Sequence, residues 1–384
     1  MQKTKRPKNY YLAAAVMVGY IIGVGMFGLP FLVSRAGLLS FIILIAALGL
    51  VQYLLHLIYA NLIVVTEGYH RMPGYAEIYL GRRGKIIVFI AKLVGNCGAL
   101  LAYIIITGIF LNQLLEPRFG GNEFIYASIL FFVEAIIVFF GTKMIAKTEL
   151  VMSGLLILVV ALIAVKGYGA AEPSNYFLID WKYILLPYGA MLFALDGGGS
   201  LPIVAKLLGR NKKSIKSIVR IGTFLPVIII SIFTLVVVGI SGSQTTPDAL
   251  TGAGLIINNG VIFFSLIFGV LTMVTSFLLV AQSIKETLRW DFKVNKYSAW
   301  AIAVFAPYIL YVLGMKNLID VISFAGAIAG GTSAIILILI FIKLSKQKNK
   351  LILFKRKPKK ALAYFLILMF AGGILYEVFY FLTR

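Results

Sequence analysis

Cysteine occurs once, at Cys97, which excludes an internal disulfide and a cysteine metal cluster. Charge is scarce: Asp, Glu, Lys and Arg make up 13% of the 384 residues, against about 25% in an ordinary soluble domain. Acidic residues are scarcest, 14 against 36 basic ones. The loops carry no paired catalytic carboxylates, no nucleophile elbow and no metal-ligand cluster, which argues against an enzyme. What is abundant is hydrocarbon: 61% of the residues are hydrophobic and the mean hydropathy is +0.98. Such a chain reads as an all-α polytopic membrane protein with no sizeable soluble domain.

Hydropathy predicts eleven spans, near residues 10–33, 38–66, 85–115, 122–141, 148–166, 182–208, 218–240, 258–284, 297–314, 317–343 and 361–382. The basic start, Met1 to Lys8, is followed by no small-residue cleavage site, so the first helix is expected to be retained. With the N-terminus in the cytoplasm, 28 Lys and Arg fall in cytoplasmic segments and 6 outside, while Lys92 and Lys206 lie within spans. That asymmetry predicts a multi-pass cell-membrane protein with its N-terminus cytoplasmic and its C-terminus external. It also explains the formal charge of +22 without nucleic acid, because the cations sit in short loops between apolar runs. The basic linker 345–360 reads as orientation plus attraction to anionic lipid. The outer loop 241–260 is polar and glycine-rich, a passive connector or a lid.

Two spans are interrupted. Residues 19–30 read Gly-Tyr-Ile-Ile-Gly-Val-Gly-Met-Phe-Gly-Leu-Pro, and residues 192–202 read Leu-Phe-Ala-Leu-Asp-Gly-Gly-Gly-Ser-Leu-Pro. Glycine and proline at this density break a helix interior. A break inside hydrocarbon survives only where the released backbone faces protein, a cavity or a ligand. The two Leu-Pro pairs are 172 residues apart, and the same offset carries the first five span starts close to the next five. Five is odd, so the second copy runs inverted, the plan of many secondary transporters. The expected units are a first repeat over 1–166, an inverted repeat over 167–343, and a linker with an eleventh helix over 344–384.

These motifs resemble a known family. Gly19, Gly23, Gly25, Gly28 and Leu29-Pro30 resemble the first helix of amino acid permeases in the amino acid–polyamine–organocation superfamily. Phe193 to Gly197 with Leu201-Pro202 resemble the sixth helix of its amino acid/auxin permease branch, and Thr275 to Leu278 the eighth helix of the related aromatic amino acid permeases. The loop from Glu67-Gly68 through Gly74 to Gly81 fits the same branch. The resemblance implies a leucine-transporter-like fold, a 5+5 inverted repeat with an eleventh helix, that carries amino acids across the bilayer by cation-coupled symport and alternating access. It implies a carboxylate site at the amides of Gly23, Val24, Gly25 and Met26, where half-helix N-termini favour anions. It implies an ammonium site at the carbonyls of Phe193, Ala194 and Leu195, beside Asp196, with Tyr103 against the substrate. A sodium ion would lie among the carbonyls of Gly19, Ile22 and Thr272 and the hydroxyls of Thr275 and Ser276; back-bonding within the helix is the other use for those hydroxyls. Met26 stands where the family's other sodium site needs asparagine, so one ion at most is expected, and no further cofactor. Met152 to Val165 lacks the lysine of proton-coupled relatives.

Polar residues inside spans are functional candidates. Asp196 is the foremost. It is expected either to cap the second half-helix or to meet a substrate cation, a backbone amide near Gly198 and Gly199, or a proton. Glu134 reads as a proton carrier or as a neutral hydrogen-bonded carboxyl, and His56 as a packing residue or a ligand. Asn96 lines the cavity with Tyr103, and Asp320 and Glu377 lie near outer ends, where water solvates them. A ligand sensor of the spore-germination receptor type and a proton-coupled permease are the competing functions. The oligomeric state is open, a monomer among the choices.

Overall fold

The computed structural model describes residues 9–140, 145–256, 260–347, 350–354 and 358–383; the basic segment Lys3 to Lys8 and Lys143 lie outside them. All the regular structure described is helical. The chain begins with α1 (Tyr10–Ile21) and α2 (Gly25–Ala36), then α3 (Leu38–Val65), α4 (Met72–Phe119), α5 (Glu123–Phe140) and α6 (Ile145–Gly167). The second part comprises α7 (Tyr188–Ala194), α8 (Leu201–Leu207), α9 (Lys212–Ser241), α10 (Leu250–Ile256), α11 (Gly260–Trp290), α12 (Lys296–Val312), α13 (Leu318–Phe324), α14 (Gly331–Leu344) and α15 (Lys360–Thr383). Among the described residues eight helical stretches are long and apolar enough to cross a membrane, and nine if α1 and α2, bent by 44°, count as one. Both interrupted spans are broken where glycine predicts. The helix-six break separates α7 from α8.

Local chemistry sets the other boundaries. α4 turns sharply at Gly81, whose φ of 78° suits only a residue without Cβ, so residues 72–80 form a short helix before the long one. Asn211, Asn295 and Asn317 each accept a backbone N–H at the start of α9, α12 and α13. Between α13 and α14 lies a π-helical segment, Ala325–Gly330, which the sequence reading missed. It packs against α7 so closely that a Cβ on Gly326 would fall 1.9 Å from the Gly189 carbonyl oxygen. Small residues allow that approach between helices.

Two peripheral segments differ from expectation. Part of the basic linker is docked on the bundle: Asn61 donates to the Lys350 carbonyl (2.9 Å) and accepts from Leu353 N–H (3.0 Å), while Lys216 donates to the Leu353 carbonyl (2.6 Å). The outer loop folds into α10, opened by Asp248, which accepts from the Thr251 amide at 2.9 Å. Glu377, expected near water, is only 2% exposed on the inner face of α15.

Candidate functional site

The break between α1 and α2 is made by backbone alone. Ile22 leaves the helix at φ −79°, ψ 84°, and neither half-helix has a side-chain cap. In an unbroken helix the Gly23 amide would bond Gly19 and the Met26 amide would bond Ile22. Here Gly23 N–H turns to the Ile21 carbonyl (2.9 Å) and Met26 N–H to the Gly23 carbonyl (3.2 Å). The Gly19 and Ile22 carbonyls thereby lose their helical donors. On the facing helix Thr275 donates its hydroxyl to the Thr272 carbonyl (3.0 Å), the back-bonding alternative. Ser276 does not: its Oγ is buried with no hydrogen-bond partner among the described residues.

The break between α7 and α8 is made by side chains. His56, on α3, accepts the Gly197 amide at Nε2 (2.9 Å), and Asp196 accepts the Gly198 amide at Oδ1 (2.9 Å). Those amides would otherwise bond the Phe193 and Ala194 carbonyls. The Phe193 carbonyl instead accepts from Asp196 N–H at 3.3 Å in a tight turn. The Thr223 hydroxyl donates to the Val219 carbonyl (2.8 Å), so His56 Nδ1, 2.9 Å away, is the donor between them. The imidazole is thus a neutral tautomer with its proton on Nδ1 and Nε2 free to accept. His56 is the satisfied buried residue that a lone histidine suggests, and it also holds the helix open.

The second oxygen of Asp196, Oδ2, accepts from Lys92 Nζ at 3.0 Å. The cap is therefore present, and the cation is a lysine of α4, one of the two that hydropathy places within spans. A lone lysine in an apolar span was the signal available. Arg71, counted as an orientation charge, is 3% exposed. It donates to the Gly199 carbonyl at 2.8 Å, pairs with Glu286 on α11 and lies over the Trp290 ring. The loop after α3 is thus tied to both the helix-six break and the end of α11.

Between the breaks lies a cavity of about 50 Å³. Gly23, Val24 and Gly25 line it from one break, Phe193, Ala194 and Asp196 from the other, and Asn96 and Tyr103 from α4. Met26 and Leu195 are buried (1% each) and do not line it. A Cβ on Gly25 would lie 2.7 Å from Ala194 Cα, and one on Gly23 would lie 2.9 Å from the Tyr103 hydroxyl. Gly25 thus packs closely against helix six at the edge of the cavity that it lines. The π-helical segment adds Ala325, Gly326 and Ala329 to the wall; such segments recur at functional sites. Glu134, on α5, is 3% exposed and does not line this cavity.

The sequence that builds these two broken helices and the cavity between them matches a known family. The sequence model of the tryptophan/tyrosine permease family matches residues 6–378. The chain belongs to that family. Among similar proteins, the tyrosine-specific transport system 1 of Haemophilus influenzae is 22% identical over 330 residues, 81% of this chain and 82% of that protein. The vacuolar amino acid transporter 2 of Saccharomyces cerevisiae is 26% identical over 124 residues, 32% of this chain and 25% of that protein. Among solved structures, MhsT in complex with L-phenylalanine superimposes with a TM-score of 0.67 at 14% identity, covering 97% of this chain and 98% of that one. The permease therefore has the leucine-transporter fold. It is a multi-pass membrane transporter of amino acids and not an enzyme.

Proposed function

We propose that this permease carries an aromatic L-amino acid between its two breaks by alternating access, in symport with sodium. The observation that carries the reading is the cavity bounded by Gly25, Phe193 and Tyr103, with Phe193 and Tyr103 supplying aromatic walls. The names of the family and of its tyrosine-transporting relative agree with an aromatic substrate. At about 50 Å³ the cavity has room for a few waters. An amino acid therefore enters only when α1 and α2 part from α7, as alternating access requires. The amides of Val24 and Gly25 would take the substrate carboxylate, and the Ala194 carbonyl, relieved of its helical donor, would take the ammonium.

Sodium fits the residues present. The Gly19 and Ile22 carbonyls lack their helical donors, and the buried Ser276 Oγ lacks any partner. The Thr272 carbonyl and the Thr275 Oγ complete an all-oxygen set, the donor type a hard cation prefers. Bound there, the ion would link helix one to α11, so that occupancy of the ion site and of the cavity favour the same closed arrangement.

On the same motifs we assign the family to the amino acid/auxin permease branch of the amino acid–polyamine–organocation superfamily. Its N-terminus would be cytoplasmic and its C-terminus external. Cysteine placed at Gly242 should then be labelled in intact cells and cysteine placed at Gln347 protected; the reverse pattern overturns the orientation. Uptake of radiolabelled tyrosine, tryptophan and phenylalanine into proteoliposomes tests the function. Accumulation driven by an inward sodium gradient supports it. Accumulation driven by a proton gradient with no response to sodium would replace sodium by proton coupling.

A further inference from the structure

The central cavity is charge-balanced by one residue of α4 and one in the break between α7 and α8. Among the described residues that line it, Lys92 and Asp196 carry the only charges. They lie 104 positions apart in sequence and 3.0 Å apart in space. Neighbouring ionisable groups are committed elsewhere. Arg71 is held by the Gly199 carbonyl and Glu286, and the His56 ring is neutral, fixed between Thr223 and the Gly197 amide. The pair is not sealed into packing either. Its side chains are 23% and 36% exposed, and both residues also line the adjoining cavity beneath His56 and Ser333.

We propose that Lys92 and Asp196 together set the charge requirement of the site: it admits ligands that carry one ammonium and one carboxylate, and rejects those missing either. The inference rests on reading the cavity as the amino acid site. The charges that the cavity's own walls carry cancel within the pair. A zwitterion keeps that balance, whichever of its groups meets which helix end. An amine without a carboxylate brings a net positive charge into a water-poor space. To neutralise that charge it must draw Asp196 from Lys92, which leaves the lysine unpaired. An acid without an amine must draw Lys92 away, which leaves Asp196 with the Gly198 amide alone. Either outcome leaves a part-buried charge without its partner, which is costly even short of full burial. Selection by a stranded charge needs no new contact to the preferred ligand.

The test is competition binding at neutral pH on purified full-length protein, with three probes of one skeleton: L-tyrosine, tyramine and 3-(4-hydroxyphenyl)propionate. Should tryptophan be the tighter ligand, tryptamine and indole-3-propionate take their places. In the parent both analogues should bind at least about tenfold weaker than the amino acid. Lys92→Met leaves the cavity negative, so tyramine should gain about tenfold or more relative to tyrosine while the acid does not. Asp196→Asn keeps an oxygen for the Gly198 amide and leaves the cavity positive, so the acid should gain instead. The double variant is neutral again and should recover the parent's order, and it covers the case in which Lys92→Met fails to fold. Lys92→Arg should keep the parent's order throughout. A purely structural pair would lower all three affinities together. Analogue-to-tyrosine ratios within about twofold of the parent in folded Asp196→Asn would overturn the proposal. A parent that binds no amino acid overturns the site reading and the proposal with it; a parent that binds tyrosine while the variants keep its ratios overturns the proposal alone.

Discussion

The two breaks do the same topological job with opposite chemistry. At the first, residues 22–24, every described hydrogen bond is backbone to backbone and no side chain caps either half-helix. At the second, His56 and Asp196 take the Gly197 and Gly198 amides, and Arg71 takes the Gly199 carbonyl. A break held by backbone turns and close packing can change shape at little cost in lost polar contacts. A break held by three side chains from three parts of the chain can change only if those contacts are exchanged for others. The first break is thus built to move, with the proposed ion beside it, and the second is a fixed, charged platform.

Removing one support from the second break should separate the two most. His56→Ala leaves the Gly197 amide buried and unbonded, which costs about 1–3 kcal/mol. The thermal midpoint of the purified protein should fall by several degrees, and the loss should persist with or without sodium. An unchanged midpoint would show that the second break does not depend on its side chains. The matching change at the first break is Ser276→Ala. Deleting an orphaned hydroxyl should leave stability within about 0.5 kcal/mol of the parent in sodium-free buffer. If sodium binds as proposed, the parent's midpoint should rise in sodium, since an ion that binds only the folded state stabilises it, and Ser276→Ala should abolish that rise. A full sodium response in Ser276→Ala would remove that hydroxyl from the ion site.

The smallest expected effect lies outside the membrane, where the loop after α3 meets the end of α11. Asp291 accepts the Gly74 amide at 3.1 Å, and its other oxygen is buried without a hydrogen bond. Burial pushes the Asp291 carboxyl up to about 6, above its ordinary value of about 3.9. The folded state therefore holds this proton more tightly than the unfolded chain does. The stability it contributes is complete below about pH 4 and is lost as pH rises through about 6. Asp291→Asn should flatten the decline of the thermal midpoint across that window. An unaltered slope would show that Asp291 does not titrate there.

Much of this was legible in the sequence because the causes are local. Glycine density with Leu-Pro marks both breaks, hydropathy marks the spans, and Asp196 before three glycines reads as a cap. What escaped depends on chain distance. Lys92 meets Asp196 across 104 positions, His56 meets Gly197 across 141, and Arg71 meets Gly199 across 128. No local pattern encodes such pairs. The π-helical segment over Ala325–Gly330 was hidden because small apolar residues fit an ordinary helix equally well; its contact with Gly189 becomes visible only when the helices are packed.

The proposed amino acid lies between the two breaks, against Gly25 and Phe193. A Cβ at Gly25 would sit 2.7 Å from Ala194 Cα and 2.8 Å from its Cβ, whereas one at Gly372, on α15, meets nothing within 4 Å. Equilibrium binding of radiolabelled tyrosine and tryptophan to the parent, Gly25→Ala and Gly372→Ala tests this most directly. Overpacking of about 1–3 kcal/mol at the junction should weaken binding by about fivefold or more in Gly25→Ala and leave Gly372→Ala equal to the parent. Parent-like affinity in a folded Gly25→Ala protein would contradict the account and move the substrate away from the breaks.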